Sequence, residues 1–272
     1  MNILLFTSNR PRHLYFIDQL YKSIPHANIT AVVESGTLFY GSSPGFYRTS
    51  SISQKYFTHV RSAEHKWFGY PHLLPPIQTF IAQWGDISNL DPSVFLPMID
   101  QADVILVYAS SWIRGGLFSL LHQKNAINIH LGVSPYYRGA ACNFWALYDL
   151  NPHLVGATIH YLNSSLDSGP ILKIIHSDTL DCDNCFEFTM KPVKLAIDFI
   201  AKNLSTYRPS DSVSFLDNNA IPQNKNLEIS TFVPEVLHRF LLIFDLQRLK
   251  AISWKTFLHF PNLLSILFYL YQ

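Results

Sequence analysis

The sequence predicts an α/β protein: a Rossmann-like, mostly parallel twisted sheet with helices on both faces, followed by a small, apolar and mainly helical C-terminal appendage. Three observations carry this expectation. Short, nearly continuous apolar runs such as "ANITAVVES", "DVILVYAS" and "AINIHLG" read as strands buried on both faces. Segments with apolar residues at helical spacing, "LYFIDQLYKSI" and "GGLFSLLHQK", lie between them. Their alternation is what a parallel sheet with crossover helices requires, and ligands are then expected beyond the carboxyl ends of the strands.

Taken in order, "MNILLFTSNRPRH" is a strand opening into a loop, and "LYFIDQLYKSI" is the first helix. "ANITAVVES" is the second strand. The long polar and aromatic stretch over 38–75 reads as a surface excursion. "FIAQWGDISN" reads as a loop, and "DPSVFLPMIDQA" as a helix with Asp91 as N-cap and Pro92 at its first position. "DVILVYAS", "GGLFSLLHQK" and "AINIHLG" continue the strand and helix alternation, and "CFEFTMKPVKLAIDFIAKNL" reads as a long helix. The Ser-, Asn- and Pro-rich segment after it marks a connection, giving a catalytic domain at 1–204 and a linker with appendage at 205–272. The final run "LLSILFYLYQ" is too short to cross a bilayer, so the apolar tail is expected to pack on the core or to form a homodimer contact.

Composition narrows the function. Twenty Lys and Arg against 19 Asp and Glu leave a net charge of +1, which provides no field to gather nucleic acid. The three cysteines, Cys142, Cys182 and Cys185, form no disulfide framework, and the opening segment lacks a secretory leader's features, so a cytoplasmic location is expected. "CDNC" has the C-x-x-C spacing of zinc and redox sites but no second ligand pair, and no metal is expected.

The chemistry concentrates in "NIHLGVSPYYRGA". Asn128 and His130 stand two apart on a strand and so address the same side. An amide offers donors that do not ionise, an imidazole exchanges protons near neutral pH, and a carboxylate such as Asp167 can orient that imidazole. The set suits acyl transfer in which Asn128 and a protonated His130 stabilise a tetrahedral oxyanion and Asp167 helps remove the proton of an attacking amine. There is no G-x-S-x-G elbow, and no nucleophilic Ser or Cys is needed.

The strings "NIHLGVSPYYRGA", "NFWALYD" and "VGATIHYLNSSLDSGPIL", with Asp167 lying 37 residues beyond His130, resemble the 10-formyltetrahydrofolate-dependent formyltransferase family. That family includes glycinamide ribonucleotide, methionyl-tRNA and sugar-nucleotide formyltransferases. The resemblance covers residues 1 to about 200 and is absent from the tail. It implies 10-formyltetrahydrofolate as formyl donor and the family's catalytic Asn, His and Asp at Asn128, His130 and Asp167. It also implies a folate wall at "SSWIRG", with Trp112, Ile113 and Arg114, closed on the other side by Leu166 in the "LNSSLD" loop. One departure is visible: the family's Pro-Ser pair directly after the His is replaced by "LGVSP", which bears on the acceptor more than on the chemistry.

For the acceptor, Tyr137 and Arg138 lie beside the catalytic pair, and Arg10 and Arg12 lie where the first strand opens into a helix, an anion-attracting place. His160, on the same strand face as Thr158, is expected to support the site structurally. A nucleotide-linked amino sugar is the favoured amine acceptor, because the glycine-bearing phosphate loop of the glycinamide enzyme and the basic surface needed for tRNA are missing. The alternatives are another amine formyltransferase, including the methionyl-tRNA type, a formyltetrahydrofolate hydrolase, or a folate-binding module without catalysis.

Overall fold

The computed structural model describes residues 1–36, 51–70, 73–204 and 226–227. Its strands are β1 (Asn2–Ser8), β2 (Asn28–Ser35), β3 (Gln78–Gln83), β4 (Val104–Tyr108), β5 (Ile127–His130), β6 (Arg138–Gly139), β7 (Gly156–Tyr161), β8 (Ile171–His176) and β9 (Asn226–Leu227). The helices among the described residues are α1 (Pro11–Ser23), α2 (Ser51–Phe68), α3 (Leu96–Gln101), α4 (Gly115–Gln123), α5 (Cys142–Tyr148) and α6 (Cys185–Asn203). Seven strands form one sheet in the order β3-β2-β1-β4-β5-β7-β8. The pairs from β3 to β5 are parallel, whereas β7 and β8 are added antiparallel. The sheet is therefore mostly parallel, and β1 sits at its switch point, with neighbours leading away on either side.

Alternation along β1 decides the two layers. Ile3 and Leu5 enter a core with Phe16, Leu20, Phe68, Val193 and Ile197 from α1, α2 and α6. Leu4 and Phe6 enter the opposite core with Phe95, Ile99, Leu117 and Leu121 from the α3 and α4 side. A third cluster joins Tyr56, Phe144, Trp145 and Phe186 and packs α5 against residues of α2 and α6.

Local chemistry starts and holds the helices. Pro11 begins α1, where a missing N–H costs nothing. Asp91 does cap, accepting from Ser93 N at 2.9 Å, but it caps a single 3-10 turn (Pro92–Val94), and α3 begins only at Leu96. In α6, Asn184 accepts from Phe186 N and Glu187 N, so the asparagine of "CDNC" is a helix N-cap. Pro192 inside α6 leaves the Phe188 carbonyl without its helical donor, and the Ser177 hydroxyl fills that place at 2.6 Å.

Two elements depart from the sequence expectation. Residues 80–83, read as the start of a loop, belong to the edge strand β3, whose pattern is largely exposed. Within the 38–75 excursion, α2 runs for 18 residues and buries Tyr56, Ala63, Glu64 and Phe68. The appendage expected at 205–272 lies outside the described residues apart from β9, whose two residues pair in parallel with β6. No helix of the described residues is long and apolar enough to cross a membrane.

Candidate active site

Parallel strands end at one edge of the sheet, and β5 delivers Asn128 and His130 there. The antiparallel register sets Asn128 opposite His160 and His130 opposite Thr158. The loop after β7 then brings Asp167 back over the end of β5. Asp167 has φ 46°, a left-handed conformation that favours glycine, so its neighbours must hold it. They do so from several sides: its side chain accepts from Gly139 N at 2.9 Å and its carbonyl from the Ser134 hydroxyl at 3.0 Å. Gly169 lets this loop lie on β7, because a Cβ there would come within 1.7 Å of the Tyr161 carbonyl oxygen.

The three residues singled out from the sequence meet. His130 Nδ1 lies 3.1 Å from Asp167 Oδ2, and Asn128 Nδ2 donates to Asp167 Oδ1 at 3.3 Å. His130 Nε2 is 2.9 Å from the Tyr137 carbonyl oxygen. Only the imidazolium can donate to both Asp167 and Tyr137. Burial works against that cation and pushes the His130 pKa below its ordinary 6.5; the Asp167 charge and the Tyr137 carbonyl oppose the shift, and His160 and Arg138 reinforce it. Burial would raise the Asp167 carboxyl, but the charge of His130, the His160 imidazole and the Gly139 N–H outweigh it and hold the group below the usual carboxylate value.

His160 completes the cluster, as a supporting residue should. Its Nδ1 lies 2.8 Å from the Tyr161 carbonyl oxygen, which can only accept, so Nδ1 carries a proton, and its Nε2 lies 3.1 Å from Asn128 Nδ2 and 3.7 Å from Asp167 Oδ1. The Asn128 amide is thereby oriented from both sides. Thr158 fixes the loop beyond β5: its hydroxyl donates to the Gly132 carbonyl at 2.7 Å and accepts from Ser134 N at 3.0 Å. Gly132 itself is demanded by contact, since a Cβ would lie 2.6 Å from His130 Nε2. Thr158 and Gly132 escape sequence reasoning because their contacts are made across β5 and β7.

A cleft of about 130 Å³ opens beside Asp167, lined by Ser134, Pro135, Arg138, Ser168, Gly169 and Ile171. Arg138 thus belongs to the site. Tyr137 does not face it: the side chain is 3% exposed, and its hydroxyl donates to Asp149 and accepts from Asn151. Arg12 is likewise committed elsewhere, to a buried ion pair with Glu64 at 2.8 Å. Arg10 stands at the N-cap of α1, its N–H donating to His13 Nδ1 at 3.2 Å. On the turn after β4, Trp112 is 72% exposed and Ile113 is buried, while the Arg114 guanidinium donates to Asn89 at 3.3 Å. Leu166, in the loop carrying Asp167, is 43% exposed. Cys142, Cys182 and Cys185 are buried thiols, and burial raises each pKa, for Cys182 to about 11.

The chain is similar to known proteins over the span that holds this cluster. Residues 96–183 match the family model described as formyl transferase, a span that holds Asn128, His130, His160 and Asp167. The chain is 29% identical over 112 residues to formyltetrahydrofolate deformylase 1 of Arabidopsis thaliana, covering 41% of this chain and 34% of that protein. It is 28% identical over 134 residues to methionyl-tRNA formyltransferase of Pelagibacter ubique, covering 47% of this chain and 43% of that one. The chain thus spans well under half the length of these curated relatives. Among solved structures, a sugar N-formyltransferase from a Shewanella species superposes with a TM-score of 0.49 at 17% identity, over 80% of this chain and 76% of that one. Residues 96–183, about a third of the chain and including the whole cluster around Asp167, are thus similar to the formyl transferase family.

Proposed function

We propose that the chain transfers a formyl group from 10-formyltetrahydrofolate to the primary amine of a nucleotide-linked amino sugar, with Asn128, His130 and Asp167 as the catalytic residues. The observation that carries this reading is the convergence of one amide, one imidazole and one carboxylate within 3.1–3.3 Å, at a strand end beside an open cleft. The residues present fit a folate. Trp112 and Leu166 are large apolar side chains left exposed on the turns after β4 and β7, and they suit the flat face of a pterin. Ile113 would back this wall, and Arg114 would lie at its rim.

When bound, the folate supplies the formyl group, activated on N10. The chain's own residues do the rest. A protonated His130, its Nε2–H turned from the Tyr137 carbonyl while Nδ1 stays on Asp167, and one Asn128 N–H donate to the formyl oxygen as it becomes anionic. The longer of the two Asn128 bonds, to Asp167 at 3.3 Å, is the one that yields, while His160 keeps the amide in place. Asp167, freed of that donor, accepts the proton of the attacking amine directly or through water, and that proton passes to the folate nitrogen as its bond to the formyl carbon breaks and tetrahydrofolate leaves. Arg138 in the cleft lining suits an anionic acceptor. A net charge of +1 argues against a tRNA-sized one.

The cleft, at about 130 Å³, is small, and so takes the amine-bearing end of an acceptor while the remainder lies over the surface. That size, and the likeness to proteins named formyltetrahydrofolate deformylase, favours hydrolysis as the second reading. Water would then attack where the amine does.

Purified protein mixed with 10-formyltetrahydrofolate and a panel of nucleotide-linked 3-amino and 4-amino sugars separates these readings. A formyl mass gain on one sugar matched by tetrahydrofolate release is the expected result. Formate and tetrahydrofolate released without any acceptor would establish the hydrolase instead. Folate binding without turnover would leave a binding module.

A further inference from the structure

Glu34 closes β2 at the edge of the sheet where the site lies, and it is 1% exposed. None of the chemistry above uses it. Its carboxylate accepts three hydrogen bonds from two loops: Ser111 N at 2.5 Å on Oε2, and the Ser111 hydroxyl at 2.7 Å and Gly85 N at 2.8 Å on Oε1. Ser111 belongs to the turn after β4, directly before Trp112; Gly85 belongs to the turn after β3. A second link runs between the same two segments, where Ser88 Oγ donates to the Trp112 carbonyl and accepts from Arg114 N, both at 3.1 Å.

The turn needs such support. It opens on Ala109 with φ 48°, a conformation a non-glycine residue holds only under restraint. Trp112 cannot supply that restraint by packing, because 72% of its surface is exposed. The hydrogen bonds to Glu34 and Ser88, with the buried Ile113, fix the backbone on which Trp112 stands. We propose that Glu34 is a positioning residue for folate binding: it pre-orders the Ser111–Ile113 backbone, so that the ligand meets a formed wall instead of ordering a loose one. This rests on the folate reading above.

A buried amide in place of the carboxylate turns an N–H toward a donor, Ser111 N or Gly85 N, and frees the turn. The test uses the full chain, 5-formyltetrahydrofolate as a non-transferable probe, and steady-state turnover of 10-formyltetrahydrofolate. Glu34→Gln is expected to weaken probe binding and raise the folate KM about tenfold, with kcat at saturating folate held within about twofold. Ser111→Ala removes one of the three bonds without burying a new donor and should weaken binding about threefold. It decides the matter if Glu34→Gln does not fold. Wild-type affinity in the folded variant, or a fall in kcat with KM unmoved, overturns the assignment. If the wild-type chain itself binds no 5-formyltetrahydrofolate, the folate reading fails and Glu34's proposed role falls with it, a result distinct from equal binding by wild type and variant.

Discussion

At the scale of single residues, His130 is held between opposing influences, and the consequence is measurable. Burial drives its pKa below 6.5, while the Asp167 carboxylate works to restore it. Replacing Asp167 with Asn removes a charge that stabilises the imidazolium, so the His130 pKa should fall further still. Ring resonances followed by NMR during a pH titration check this; an unchanged or higher value in Asp167→Asn would contradict the coupling. Arg12 shows how a residue's type can mislead. A cationic side chain at the opening of a helix suggests an anion site, yet Glu64, itself buried, takes it. Glu64→Ala removes that buried ion pair and should destabilise the protein, read as a lowered midpoint in urea denaturation.

At the scale of elements, the sequence made β1, α1, β2, β4, α4, β5 and α6 legible because each buries a clear apolar run or stripe. The edge strand β3 was not, since Gln78, Thr79 and Ile81 face solvent and blur its pattern. α2 was hidden for a different reason: its buried face contains Glu64, whose pairing with Arg12 only the fold supplies. The direction of β7 and β8 could not be read either, as apolar runs do not encode parallel or antiparallel pairing. Asn128, His130 and Asp167 were singled out because their side-chain types suit acyl transfer and because the strings that carry them resemble a known family, and the fold brings the three together. Glu34 and Thr158 were missed, because their importance lies in backbone groups they reach across the fold. The loop carrying Asp167 is an element whose close seat on β7 requires a glycine at 169. Gly169→Ala should drive it off β7 and destabilise the protein by about 1–3 kcal/mol, visible in denaturant unfolding; an unaltered midpoint would count against the tight seat.

For the whole molecule, buried imidazoles link stability to pH. His13 is buried under Tyr108, and burial first, then the charges of Arg12 and Arg10, hold its pKa well below 6.5. His130 is lowered too. Folded pKa values beneath the unfolded value mean that the folded chain binds fewer protons once pH falls below about 6.5. Stability present above that pH is then lost as pH drops through the folded values, and the lowered Asp167 carboxyl adds a further loss at more acidic pH. The melting temperature should therefore be lower at pH 5 than at pH 7, with a smaller difference in His13→Gln.

We propose that a formyl group leaves 10-formyltetrahydrofolate at the cluster at the end of β5. The first experiment is tetrahydrofolate production by the wild-type chain and by His130→Ala, each at saturating 10-formyltetrahydrofolate with the amino-sugar panel present. A rate at least ~100-fold lower in a folded His130→Ala protein is expected. Equal rates in the two proteins would remove His130 from the chemistry.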